Sequence, residues 1–185
     1  AMDTPLGRAA GNALEVAEAV ATLKGEGPED LVEVCLALAR EMAALAGVDA
    51  DVEEVLAGGE ALEKWEAMVR SQGGDPSAPL PRARHIREVT ARDGGYLQSL
   101  DALKVGTACV RLGAGRVRKE DAVSPGAGIE CLVKPGEAVE AGEPVLRLHA
   151  DDPGRFGPAL EALEGAFTVA EEHPGTPDLI LGRVG

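Results

Sequence analysis

The chain has 185 residues, 45 % of them hydrophobic but only 2 % aromatic, and a formal net charge of -14. That length allows one medium domain or two small ones with a core built from Ala, Val and Leu. The acidity excludes a general phosphate-backbone binder, and the few aromatics leave almost no stacking platforms for single-stranded nucleic acid.

The charge is unevenly spread. Residues 1–81 carry five Lys/Arg against sixteen Asp/Glu, residues 82–119 nine against three, and residues 120–185 four against thirteen. The central basic island (Arg82, Arg84, Arg87, Arg92, Arg111 and the run Arg116 to Lys119) suits a small anion or a solvated surface that balances acidic neighbours. Cys35, Cys109 and Cys131 form no CxxC pair. Cys35 and Cys109 sit in apolar helical patterns and are expected to be buried thiols, which fits a reducing, cytoplasmic setting. No apolar run reaches membrane-span length, and no basic-then-apolar leader opens the chain.

Residues 1–75 read as helical. Asn12 with Glu15 fits a capping box, and Val16, Val20 and Leu23 recur at helical spacing. Gly25 and Gly27 end that helix. Pro28 suits the first position of the next, whose apolar face runs from Leu31 through Val34, Leu38 and Met42 to Leu45, with Gly47 as its stop. Asp49 is expected to cap a short helix through Leu56, broken by Gly58-Gly59. Leu62, Trp65, Met68 and Val69 mark another, ended by Gly73-Gly74. Asp75-Pro-Ser-Ala-Pro-Leu-Pro81 holds three prolines, which disfavour helix and central strand alike. The boundary is therefore placed there, with residues 76–84 as linker.

Residues 85–185 read as mixed α and β. Ile86–Ala91 and Tyr96–Leu100 are strand-like around Asp93-Gly94-Gly95. Asp101 caps a helix through Leu112, stopped at Gly113-Ala-Gly115. Short strands are expected at 129–133, 138–139 and 145–149, with Lys134-Pro-Gly136 and Glu140-Ala-Gly142 as turns. A late helix spans Pro158–Leu163, and closing strands are expected at Phe167–Ala170 and Leu179–Val184. His85, His149 and His173 are scattered without Cys or His at zinc-ligand spacing.

An ordered set of motifs runs through nearly the whole chain. It begins with Asp3-Thr-Pro-Leu-Gly-Arg-Ala-Ala-Gly-Asn-Ala-Leu-Glu-Val-Ala-Glu-Ala19 and continues with Leu23-Lys-Gly-Glu-Gly-Pro-Glu-Asp-Leu31 and Ala61–Asp75. Then come Gly95-Tyr-Leu97, Leu112-Gly-Ala-Gly-Arg116, Lys119-Glu-Asp121 and Gly128-Ile-Glu-Cys-Leu-Val-Lys-Pro-Gly136. This set resembles the pyrimidine-nucleoside (thymidine) phosphorylases. In that family the first motif lies in mid-chain, so the resemblance implies the C-terminal portion of a larger α/β enzyme. The implied fold is α+β, with residues 1–75 a helical segment of the central domain and residues 85–185 an α/β-hammerhead, barrel-sandwich-like domain.

The resemblance also implies pentosyl transfer in nucleoside salvage. Inorganic phosphate, the co-substrate, displaces the base of a pyrimidine nucleoside, giving free base and a pentose 1-phosphate. The family's Lys-His-Ser-Thr-Gly-Gly phosphate loop and its Arg/Ser/Lys base-reading group are not in this sequence. No catalytic residue is therefore assigned here, and the chain alone is expected to be inactive. Leu6, Ala9 and Glu18 match family positions that hold potassium, the first two through main-chain carbonyls and Glu18 through its carboxylate; oxygen ligands suit such a hard ion. Arg116, Arg118 and Lys119 are a candidate cleft-closing loop, since the glycines before them follow a helix and do not precede one as a phosphate cradle requires. The complete enzyme is expected to be a cytoplasmic homodimer including the missing N-terminal half, with no nucleic-acid or membrane partner.

Two other readings stand beside this one. Val133-Lys-Pro-Gly-Glu-Ala-Val-Glu-Ala-Gly-Glu-Pro-Val-Leu-Arg-Leu148 also looks like half of a biotinyl or lipoyl carrier, for which Lys104 is the only tip-like lysine. The third is a non-catalytic structural module.

Overall fold

A computed structural model describes residues 1–175 and 178–184. The chain is mixed α+β and divides into two compact units, one of residues 1–15 with 81–185, the other of residues 16–80.

The first unit holds all seven described strands: β1 (Ala9–Gly11), β2 (His85–Thr90), β3 (Gly95–Leu100), β4 (Gly128–Cys131), β5 (Ala138–Val139), β6 (Pro144–Ala150) and β7 (Phe167–Ala170). One antiparallel sheet runs β1-β4-β6-β2 and the other β5-β3-β7. β6 shows why this sheet forms. Leu146, Leu148 and Ala150 are fully buried while Arg147 and His149 stay half-exposed, the period of two that gives one dry and one wet face. Helix α5 (Ala102–Leu112) lays Val105, Ala108, Cys109 and Leu112 into the same core. Asp101 caps it, accepting from the Lys104 N–H at 2.9 Å, and Gly113 closes it in the left-handed region at φ 109°. Helix α6 (Phe156–Ala162) contributes Phe156 and Ala159.

The second unit is helical. Helix α1 (Asn12–Leu23) starts in the first unit and continues into this one, followed by α2 (Glu29–Ala46), α3 (Val52–Ala57) and α4 (Glu60–Ser71). Gly47 ends α2 at φ 67°. No residue of α2, α3 or α4 is buried. Leu38, Met42 and Leu45, spaced to share one face of α2, are 57 %, 63 % and 87 % exposed.

Several expectations change. Ala9–Gly11 is a strand, not helix, because it finds the open edge of β4. Pro28 is the N-cap of α2 and not its first residue. The cap of α3 is Asp51, whose carboxylate accepts from the Glu54 N–H at 2.9 Å; Asp49 lies two residues too early to reach the helix's free amides. The strands on either side of Asp93-Gly94-Gly95, β2 and β3, both form, and they belong to different sheets. Leu179–Val184 is irregular; Gly182 interrupts the run, and Leu181 and Val184 are exposed and pair with no described strand. Cys35 is exposed, because α2 has no buried face to receive it, whereas Cys109 and Cys131 are buried.

Candidate functional site

The segment from Asp3 to Gly11 is fastened to the β4–β5 connection by side chains. Gly7 is buried at φ 67°, a conformation that L side chains rarely adopt, and it turns the chain there. The Lys134 ammonium donates to the carbonyls of Pro5 and, at 2.6 Å, Gly7. Arg8 forks onto both oxygens of Glu137, with its Nη1 3.2 Å from Oε2, and the same nitrogen donates to the Leu132 carbonyl at 2.8 Å. Glu137 also accepts from the Lys134 backbone N–H at 2.8 Å. Burial pushes the Glu137 carboxyl up, but the Arg8 bond, the Lys134 N–H and both positive charges outweigh it and hold the group below its ordinary value.

This fastening sets which backbone oxygens face outward. The Cys131 N–H donates to the Arg8 carbonyl at 2.7 Å, and Ala9 stands opposite Glu130. In an antiparallel ladder the next residue points its N–H and C=O the other way. The Ala9 carbonyl therefore points off the outer edge of the sheet, since β1 is its edge strand. The Leu6 carbonyl lies between the two that Lys134 engages. Leu6 and Ala9 are thus brought into one loop. Glu18 stands six positions beyond Asn12 on α1, half-buried, in the helical unit, and its carbonyl accepts from the Thr22 hydroxyl at 2.8 Å.

The start of α1 differs from a capping box. Glu15 reaches back to the Gly11 N–H at 2.7 Å, while the Asn12 side chain donates to the Ala114 carbonyl at 2.8 Å. The Ala13 N–H donates to the Pro125 carbonyl at 3.0 Å. Both ends of the α5–β4 connection are therefore tied to the first turn of α1. That connection carries Arg116, Arg118 and Lys119, all exposed, and Asp121 accepts the Val117 and Arg118 N–H groups at 3.1 and 2.8 Å. Its glycine turn is a helix stop, and Gly113 lies against the Arg155 guanidinium.

Other reactive groups are accounted for locally. His149 sits 2.7 Å from Glu130, His173 packs edge-on against Tyr96, and His85 lies exposed on β2. Burial first, then Cys131 and Glu15, push the Cys109 thiol up to about 12, so it is no nucleophile. Lys104 is in the first turn of α5 with its ammonium on the Glu164 and Gly165 carbonyls, 2.8 and 3.1 Å away, which is unlike a carrier lysine at a hairpin tip. Among the described residues no three His, Cys, Asp or Glu side chains gather at metal-binding distance, and no helix is long and apolar enough to cross a membrane. Lys134 and Glu137 escaped the sequence reading, which took Lys-Pro-Gly only as a turn. The available signal was an Arg in the first motif and an acid one residue past that turn.

Residues 96–170 match the family model for the pyrimidine nucleoside phosphorylase C-terminal domain. The thymidine phosphorylase of Mycobacterium tuberculosis (strain ATCC 25618 / H37Rv) is 45 % identical over 184 residues, 99 % of this chain and 43 % of that protein. The pyrimidine-nucleoside phosphorylase of Bacillus subtilis (strain 168) is 44 % identical over 162 residues, 81 % of this chain and 37 % of that one. The pyrimidine-nucleoside phosphorylase of Staphylococcus aureus (strain USA300) is 39 % identical over 191 residues, 97 % of this chain and 44 % of that one. The chain spans less than half the length of these relatives.

Proposed function

Because this chain corresponds to the C-terminal portion of the pyrimidine-nucleoside phosphorylase family, we propose that it works as that portion of an enzyme cleaving pyrimidine nucleosides with inorganic phosphate. A phosphate oxygen bonds to the anomeric carbon and the bond from that carbon to the base nitrogen breaks. The nitrogen keeps the electron pair and takes a proton, leaving free base and a pentose 1-phosphate. The observation that carries this reading is 45 % identity over 99 % of the chain. The groups that contact phosphate and base belong, on this reading, to the remainder of the polypeptide.

The uncovered face of α2 supports such a remainder. An apolar stripe through Leu38, Met42 and Leu45 with no core beneath it suits a helix that packs against more protein. Cys35, Cys109 and Cys131 form no disulfide with one another, which agrees with a cytoplasmic enzyme. By the same family resemblance the complete enzyme is a homodimer.

The reading includes a potassium ion held by the Leu6 and Ala9 carbonyls and the Glu18 carboxylate. Its support in this chain is the loop that turns the Ala9 carbonyl off the sheet edge and takes up the carbonyls on either side of Leu6. When bound, the ion supplies a fixed positive charge coordinated by hard oxygens. Arg116, Arg118 and Lys119 serve as the cleft-closing loop; their exposure and the tethering of the loop's two ends support this.

The test is phosphate-dependent release of thymine or uracil from thymidine or uridine. The 185-residue chain is expected to give no turnover and the complete polypeptide to turn over. Robust phosphorolysis by the short chain would overturn the proposal.

A further inference from the structure

The cluster of Arg8, Lys134 and Glu137 does more than close a turn. Lys134 is the only described side chain whose ammonium spans two carbonyls of the Asp3–Gly11 loop, and it comes from the far side of β4 in sequence, over a hundred positions away. The Arg8 fork fixes the next residue to the same connection. Pro5 and Gly7 are thereby held by their carbonyls on either side of Leu6, Arg8 is held by its side chain, and the Ala9 carbonyl points off the sheet edge. A loop that presents oxygens to a cation must hold them against mutual repulsion before the ion arrives. Two fixed positive groups on the neighbouring carbonyls and on Glu137 do that without occupying the presented ones.

We propose that Lys134 and Glu137 are positioning residues that pre-set the Leu6 and Ala9 carbonyls for a monovalent cation. Arg8 acts as the link between Glu137 and the loop. The proposal rests on the cation reading above and adds to it the side chains through which the β4–β5 connection controls the loop. Neither Lys134 nor Glu137 is among the proposed ligands. Losing either lets the alternate carbonyls rotate, so cation affinity falls while the sheet remains.

The experiment is amide hydrogen exchange of the 185-residue chain in potassium chloride against choline chloride at equal ionic strength. It follows residues 6–11, with the β6 amides of Val145–Ala150 as the internal fold control. In the unaltered chain, potassium at ten times its dissociation constant is expected to slow exchange in residues 6–11 about tenfold, by mass action. In Lys134→Met and Glu137→Gln the ratio between the two salts is expected to fall to about one, with β6 protection kept, and Lys134→Arg is expected to restore most of it. A merely structural role would speed exchange equally in both salts and leave that ratio unchanged, which would overturn the positioning role alone. No potassium effect even in the unaltered chain would overturn the cation reading and this inference with it.

Discussion

Truncating Leu148 to alanine separates the two units energetically. Leu148 lies mid-strand in β6 between Ile129 of β4 and Arg87 of β2, and it is 0 % exposed. Removing three carbons forfeits about 2.4 kcal/mol at about 0.8 kcal/mol per buried CH₂. The cavity adds to this, because strands hydrogen-bonded on both sides close over it only in part, for a total of about 3–4 kcal/mol. Leu38→Ala on the 57 % exposed face of α2 is expected to cost under about 0.5 kcal/mol. Urea unfolding resolves the two by probe. Exchange of the Val145–Ala150 amides follows the sheet, while emission of Trp65, the only tryptophan, follows the helices. In the complete polypeptide, where the α2 face is proposed to be covered, Leu38→Ala should become costly, about 2 kcal/mol or more. A loss below about 1 kcal/mol for Leu148→Ala would refute the account of the core. An equal cost for Leu38→Ala in the short chain would refute the uncovered face.

Two further outcomes follow from named groups. Glu137 is held below its ordinary value of 4.5, so the unfolded chain binds that proton more tightly than the folded one. Its contribution is present above the ordinary value and lost as pH falls through the lowered one, so Glu137→Gln should flatten the acid limb of the stability curve at roughly pH 5 and below; an unchanged acid limb would contradict the ion pair. With a thiol-exchange dye, Cys35 should react at once and Cys109 and Cys131 only on unfolding, whereas three fast thiols would contradict the burial of the last two.

Local chemistry was legible in the sequence wherever one residue decides the backbone. Asp101 as cap and Gly113 as stop of α5, Gly47 as stop of α2 and the proline run after Asp75 all stand where the residue types place them. Long-range pairing was not legible. Nothing local makes Ala9–Gly11 a strand, since Ala and Gly have little strand preference; the open edge of β4 does. The same holds for Cys35, whose helical pattern promises burial that only a second packing surface can supply. At the candidate site, Leu6, Ala9 and Glu18 are proposed from the family motif, and the loop that carries the first two was legible in it. The Lys134 and Glu137 fastening was not, because it joins segments more than a hundred positions apart.

The sheet unit is interrupted in the chain by the whole helical unit, residues 16–80. Ala9 pairs with Glu130, so a ribosome has made β1 long before β4, its only neighbour among the described strands, exists. That strand must wait, unpaired by β4, through the synthesis of helices α1 to α5, the proline run and strands β2 and β3. Its docking is a late, loop-closing event whose entropic cost grows only slowly with the intervening length. A single nick in the proline run would then cut the sheet unit into two covalent pieces, joined by the β1–β4 ladder, the Arg8, Lys134 and Glu137 contacts and the bonds that tie Asp3, Asn12 and Ala13 to Ala102, Ala114 and Pro125.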